Sequence, residues 1–184
     1  TFLPYKRGLF HIFTAKNIDA FDKDFPGKFL GKFFEITDDF RIGISSSQGY
    51  LHIVRAALRE AVYANITCIL NEEICLSFSD TGSDRLLCPA ATTASTREYY
   101  FMLDELVNKA CSDIDRNDLK NTLKDYVRFN GDVKSVADNN HQHGNTIRYR
   151  ISKVKNMWNC KSELEFHAQI TFYIRIGQIL NLLV

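Results

Sequence analysis

The sequence predicts an α+β chain, with an α/β part over about residues 1–92 followed by an all-helical part over about 96–184. Three observations carry this reading. Short apolar and aromatic runs alternate with one amphipathic helical pattern in the first half. From Ser95 onward, apolar residues recur only at three- and four-residue spacing. Charge is also segregated: residues 118–184 hold ten basic and six acidic side chains, a net +4, and since the whole chain carries +1 the first 117 residues carry −3.

In the first half, Gly8 to Thr14 reads as a strand and Asn17 to Phe34 as helical with a break at Pro26-Gly27. Phe40 to Ser45 reads as a short strand running into the polar loop 46–49. Leu51 to Ala64 is a strong helix, with Ile53, Val54, Ala57, Leu58, Ala61 and Val62 on one face, ended by Asn65-Ile66-Thr67. Ile69-Leu70 and Ile74 to Phe78 suggest two short strands around Asn71-Glu72-Glu73, and Asp80 to Pro89 reads as a connector rich in turn residues. In the second half, helices are expected at Thr96–Cys111, Leu119–Phe129 (stopped by Asn130-Gly131), Val133–Asp138 (capped by Asp132), His143–Trp158 and Ser162–Leu183.

Composition narrows the function classes. The 184 residues are 45% hydrophobic, enough for a packed core. A net charge of +1 gives no global field toward nucleic acid or anionic lipid, so any basic patch is local. Thr1 to Phe13 lacks the features of a signal peptide, and no window reaches the length of a membrane span, so a cytoplasmic protein with no membrane partner is expected. The five cysteines form no CxxC pair and read as small hydrophobes of a reducing compartment.

The helix at 143–158 is the most informative element. Ile147, Ile151, Val154 and Trp158 form its buried stripe, and no acid stands between Asp138 and Glu163. Asn145, Tyr149, Ser152 and Asn156 fall opposite the stripe, with Thr146, Arg148, Lys153 and Lys155 on the flanks. Amide, hydroxyl and cationic groups on one face can read base edges and hold phosphates, and a solvated surface with incidental charge is the alternative. The order of short helix, tight turn and longer helix is that of a helix-turn-helix. Ala137 stands where the first helix must be small, and Ile147 stands ten residues on, where the second packs back.

Leu119 to Tyr126, then Asn130-Gly131-Asp132-Val133, then His143 with Asn145-Thr146-Ile147-Arg148-Tyr149-Arg150-Ile151, resemble the C-terminal helix-turn-helix of the PucR family of transcription regulators. The recognition helix also resembles that of Fis-type DNA-binding domains. Upstream, Arg41-Ile42-Gly43-Ile44-Ser45 and Leu58-Arg59-Glu60-Ala61 resemble the family's degenerate GGDEF-like domain, and Phe78 to Gly82 with Arg85-Leu86-Leu87 resemble the strand and link after it. The resemblance implies a partial cyclase-like α/β domain at 1–92 without the GGDEF signature, then a DNA-binding domain at 96–184. It implies no enzyme activity and no cofactor. It implies double-stranded DNA as partner, a homodimer, and an effector bound by a region missing from this chain. The site residues it marks are His143, Asn145, Thr146, Arg148, Tyr149, Arg150 and Lys153. Three positions depart from the family pattern: Asn140 and Gln142 replace apolar residues that pin the turn to the core, and Gly144 replaces a cation.

Two of these residues carry a second reading. Arg150 falls about 60° from the centre of the buried stripe, so it can pair with Glu163 or Glu165 instead of DNA. His141 and His143 form an HxH pair with no nearby carboxylate or cysteine, a weak metal signal beside a helix-start role. Glu72 and Glu73 suit a solvated turn, and no phosphate-binding loop or nucleophile constellation is visible. The runner-up function is a protein-interaction module whose helix-turn-helix no longer binds DNA, and a residual cyclase comes third.

Overall fold

The structure is a computed structural model that describes residues 2–6, 8–12, 31–32, 40–46, 54–111 and 114–183. The chain divides into two compact units, Thr1–Arg85 and Leu86–Val184.

In the first unit, β1 (Phe2–Tyr5) pairs antiparallel with β2 (Gly8–His11), Phe2 opposite His11 and Tyr5 opposite Gly8. β2 is the expected strand. β1 is not signalled by the sequence because Pro4 lowers strand propensity, but among the described residues the ribbon has two strands, both of them edges, where proline is tolerated. The helix expected over 17–34 lies outside the described residues except Gly31 and Lys32, which are helical. The loop 47–49 lies outside them too. β3 (Ile42–Ile44) pairs parallel with β4 (Cys75–Ser77), Gly43 opposite Leu76. Helix α1 (Val54–Leu70) connects them, as a parallel pair requires.

Two expectations fail here. α1 does not end at Asn65-Ile66-Thr67 but runs on through them, and Ile69-Leu70 is its last turn, not a strand. Both turn-forming side chains find partners that leave the helix intact: Asn65 Nδ2 donates to Arg41 O (2.8 Å) and Thr67 Oγ1 to Tyr63 O (3.1 Å). The helix stops instead at Glu72, held at φ 59° while Glu73 N donates to Cys68 O (2.9 Å) and Glu72 N to Ile69 O (3.2 Å). The expected connector 80–89 is likewise largely helix. A 3-10 turn at Phe78–Asp80 and Gly82 (φ 57°) absorb the turn residues, and α2 (Asp84–Ala91) follows with Pro89 in its last turn.

Gly43 explains how β3 meets α1. A Cβ there would lie 2.2 Å from both Ala61 O and Asn65 N, closer than any side chain can approach backbone.

The second unit is all helical. α3 (Ala94–Ala110), α4 (Arg116–Arg128), α5 (Val133–Asn139), α6 (Gly144–Met157) and α7 (Glu163–Leu183) match the five expected helices. α4 begins three residues before its first apolar residue because Asp115 caps it, accepting from Asn117 N (2.8 Å) and Asp118 N (3.1 Å). One core draws on all five helices, with Leu103 and Val107 (α3), Leu119 and Leu123 (α4), Val136 (α5), Ile147 and Val154 (α6), and Phe166 and Ile170 (α7) fully buried. Phe166, Ile170 and Tyr173, on the first half of α7, are therefore committed to this unit's own core. Trp158 lies edge-on to Tyr173, ring centroids 5.4 Å apart. Gly177 lets Tyr100 lie across α7, since a Cβ there would sit 2.9 Å from the Tyr100 hydroxyl.

Asp104 on α3 joins three helices. Its side chain is 17% exposed and accepts from Lys120 Nζ (2.7 Å) on α4 and from the Tyr173 hydroxyl (2.6 Å) on α7. Asn108 Nδ2 (3.3 Å) and Arg116 Nη2 (3.5 Å) complete the group. Burial opposes the charged form, but the hydrogen bonds from Lys120, Tyr173 and Asn108 and the Lys120 charge outweigh it and hold the carboxyl below its usual range. The Tyr173 hydroxyl is pushed well up by burial and by Asp104.

Two predictions follow from these contacts. Gly43→Ala should destabilise the first unit by about 1–3 kcal/mol, read as increased hydrogen exchange across α1; unchanged protection there would contradict the close approach. A carboxyl depressed in the fold stabilises above its unfolded pKa of about 3.9 and loses that contribution as pH falls through the folded value. The stability difference between wild type and Asp104→Asn, measured by urea unfolding, should therefore be constant above about pH 5 and shrink below about pH 4.

Candidate nucleic-acid interface

The site is built from the α5–turn–α6 segment. Asp132 starts α5 as expected, its carboxylate accepting from Lys134 N (3.1 Å) and Ser135 N (3.3 Å). The Ser135 hydroxyl bond and these amide bonds lower its pKa. At the other end His141 takes a left-handed conformation (φ 51°), with Gln142 N donating to Ala137 O (2.9 Å) and His141 N to Asp138 O (3.3 Å). This pair of hydrogen bonds is the Schellman stop. The next residue but one, His143, caps α6 through Nδ1, which accepts from Asn145 N (3.2 Å). The helix-start role of His143 is thus visible in the structure. Ala137 and Ile147 are both buried, in the same core.

α6 presents two faces. Ile147, Ile151, Val154 and Trp158, the predicted stripe, are all buried. Asn145, Thr146, Arg148 and Tyr149 are exposed together with Ser152 and Asn156. Arg148 Nη1 donates to Asn145 Oδ1 (3.0 Å), so a cation and an amide leave the helix side by side. Lys153 is half-buried, its Nζ 5.7 Å from the centre of the Tyr149 ring. Lys155, placed on the flank by the sequence, forms an ion pair with Glu163 of α7.

Arg150 departs from its expected place. It is 7% exposed and points into the unit, and its partner is neither Glu163 nor Glu165. Nη2 donates to Asp118 Oδ2 (3.1 Å) and Nη1 to the Thr122 hydroxyl (2.9 Å), both on α4. A side chain engaged in this way is not available to a phosphate. Asp118 and Thr122 lie 32 and 28 residues upstream, and nothing in the local pattern of α6 names them.

The three departures from the family pattern have different consequences. Asn140 still pins the turn, by hydrogen bonds instead of apolar contact: its Nδ2 donates to Asp125 Oδ2 (2.7 Å) and to Val136 O (2.8 Å), and Asn139 Nδ2 reaches the same carboxylate oxygen (2.9 Å). Gln142 does not compensate in this way, since its Oε1 is buried with no partner among the described residues. Gly144 opens α6 in a place with room for a side chain, a Cβ there meeting only Arg148 Nη1 at 3.6 Å and Val133 Cγ1 at 4.0 Å.

Residues 119–168 match the family model of the PucR C-terminal helix-turn-helix domain. The match takes in α4 from Leu119, all of α5 and α6, and the start of α7, and it leaves the first unit outside. The segment is thus similar to a PucR-type helix-turn-helix. No curated protein and no solved structure matches the chain. Among the described residues, no helix is long and apolar enough to cross a membrane and no group of three His, Cys, Asp or Glu is placed to hold a metal ion.

Gln142 stands where a Schellman stop ordinarily makes an apolar contact with the helix it ends. Gln142→Leu should therefore stabilise the helical unit by about 1 kcal/mol. The measurement is the urea midpoint at constant slope, and a lower midpoint would mean that the amide has a partner the leucine removes.

Proposed function

We propose that the helical unit binds double-stranded DNA with α6 in the major groove, as the C-terminal module of a transcription regulator. The observation that carries this reading is the outward face of α6. Asn145, Thr146, Arg148 and Tyr149 are held toward solvent by a fully committed buried stripe, in a stretch of chain without an acid between Asp138 and Glu163. Arg148 and Lys153 act as phosphate ligands, and Asn145 and Thr146 meet base edges. Tyr149 bonds a phosphate, and His143 fixes the start of the helix close to the backbone, where unpaired amides favour an anion.

Two copies fit this function better than one, because paired recognition helices bind half-sites about 34 Å apart. For the first unit we retain the degenerate GGDEF-like reading, over about residues 1–92, with the second domain over 96–184. The parallel β3–α1–β4 arrangement and the Gly43 approach support it. A second reading, a protein-interaction module that has lost DNA affinity, is favoured by the unpaired Gln142 amide oxygen and the missing cation at Gly144.

The test is fluorescence anisotropy with a labelled duplex from the region upstream of the gene, over a salt series. The wild-type chain should bind with affinity falling steeply with salt. Arg148→Ala with Lys153→Ala should weaken binding and reduce the slope of log affinity against log salt by about 2, one for each phosphate contact. Gly144→Lys should change both in the opposite direction. No binding by the wild type at about 50 mM salt would sink this reading and favour the second.

A further inference from the structure

We infer that Arg150 is a positioning residue for α6: it fixes the rotation of the recognition helix against α4, and thereby the direction in which Arg148 leaves the surface, without touching DNA itself. This rests on the DNA-binding reading for its consequence but not for its geometry.

Arg148 and Arg150 are two residues apart, about 200° around the helix, so one faces out when the other faces in. The inward one has a built receptor. Thr122 is fully buried, and its hydroxyl donates to Asp118 O (2.8 Å), which leaves an oxygen lone pair for Arg150 Nη1 at 2.9 Å. The same nitrogen lies 3.5 Å from Asp118 O, and Nη2 reaches Asp118 Oδ2 at 3.1 Å. The guanidinium therefore meets a hydroxyl, a carbonyl and a carboxylate within one turn of α4.

That set constrains what apolar packing leaves free. Ile147, Ile151 and Val154 bind α6 to the core through contacts that are roughly proportional to area and not directional. Such contacts tolerate some rolling of a helix about its axis. A planar fork with donors in fixed directions does not, because rotation of α6 moves both nitrogens off their acceptors together. The second arginine of the Arg148-Tyr149-Arg150 run thus sets the aim of the first.

The experiment uses the whole chain with Arg150→Lys, Arg150→Met and Thr122→Val. Thr122→Val removes only the hydroxyl and keeps the shape, so it serves if Arg150→Met does not fold. Hydrogen exchange is followed in α6, α3 and α7, and anisotropy with a duplex of about 30 base pairs is followed over a salt series. Positioning predicts that Arg150→Met and Thr122→Val raise exchange in α6 about tenfold while α3 and α7 stay protected, and weaken DNA binding with no change in salt slope. Arg150→Lys should recover part of both. A salt slope reduced by about one in Arg150→Met would show a phosphate contact and overturn the inference. Unchanged protection of α6 in Arg150→Met and Thr122→Val would overturn it as well. If the wild type binds no duplex, the DNA reading fails, and the exchange measurements still decide the role of Arg150.

Discussion

The helical unit depends on a carboxylate that cannot be left alone. Asp104 is largely buried, and an uncompensated charge there would cost several kcal/mol. Its donors come from three helices, and each arrives already constrained. Lys120 sits one turn into the capped α4, and Tyr173 projects from α7 with its ring stacked on Tyr100, centroids 5.3 Å apart. Gly177 permits that stacking by clearing the space beside Tyr100. The apolar core supplies the driving force for collapse, and the Asp104 group selects the relative placement of α3, α4 and α7 from the arrangements that burial alone would accept.

α4 then acts as the reference for α5 and α6. Three of its side chains reach outward in turn: Asp118 and Thr122 receive Arg150 of α6, and Asp125 receives Asn139 and Asn140 at the end of α5. The helix that shows no obvious interface in the sequence thereby holds both halves of the helix-turn-helix.

Much of this was legible in the sequence, and what was not has physical reasons. Strong periodicity gave the helices of the second unit and the buried stripe of α6, because those positions answer only to local geometry and burial. Asp132 was recognisable because capping is a contact within one turn. Tertiary partners were not. Asn65 and Thr67 look like a helix stop, but Arg41 O and the i−4 carbonyl satisfy them, so α1 continues. The angle of Arg150 on α6 puts it near the buried stripe, but its partners, Asp118 and Thr122, lie on α4 and not at Glu163 or Glu165. Pro4 hid β1, since propensity cannot tell an edge strand from a central one. Among the described residues the strands of the first unit are short, and there local pattern is weakest.

The polar substitutions in the turn separate the stability of the module from its chemistry. A helix-turn-helix needs its turn anchored and its second helix started at a defined residue. Asn140 supplies the first through Asp125, the left-handed His141 completes the stop, and His143 supplies the second. None of these contacts uses the side chain at position 144. Glycine there costs α6 at most about 1 kcal/mol relative to alanine, and less at the first helical residue than in the interior. The fold therefore tolerates Gly144, and in the proposed DNA complex its effect falls on the interface, where one missing cation would remove about one unit of salt dependence and leave the proposed Arg148 and Lys153 contacts in place. Weaker binding with a shallower salt dependence is the consequence, not the loss of the surface, because the groups that aim that surface lie on α4 and are untouched.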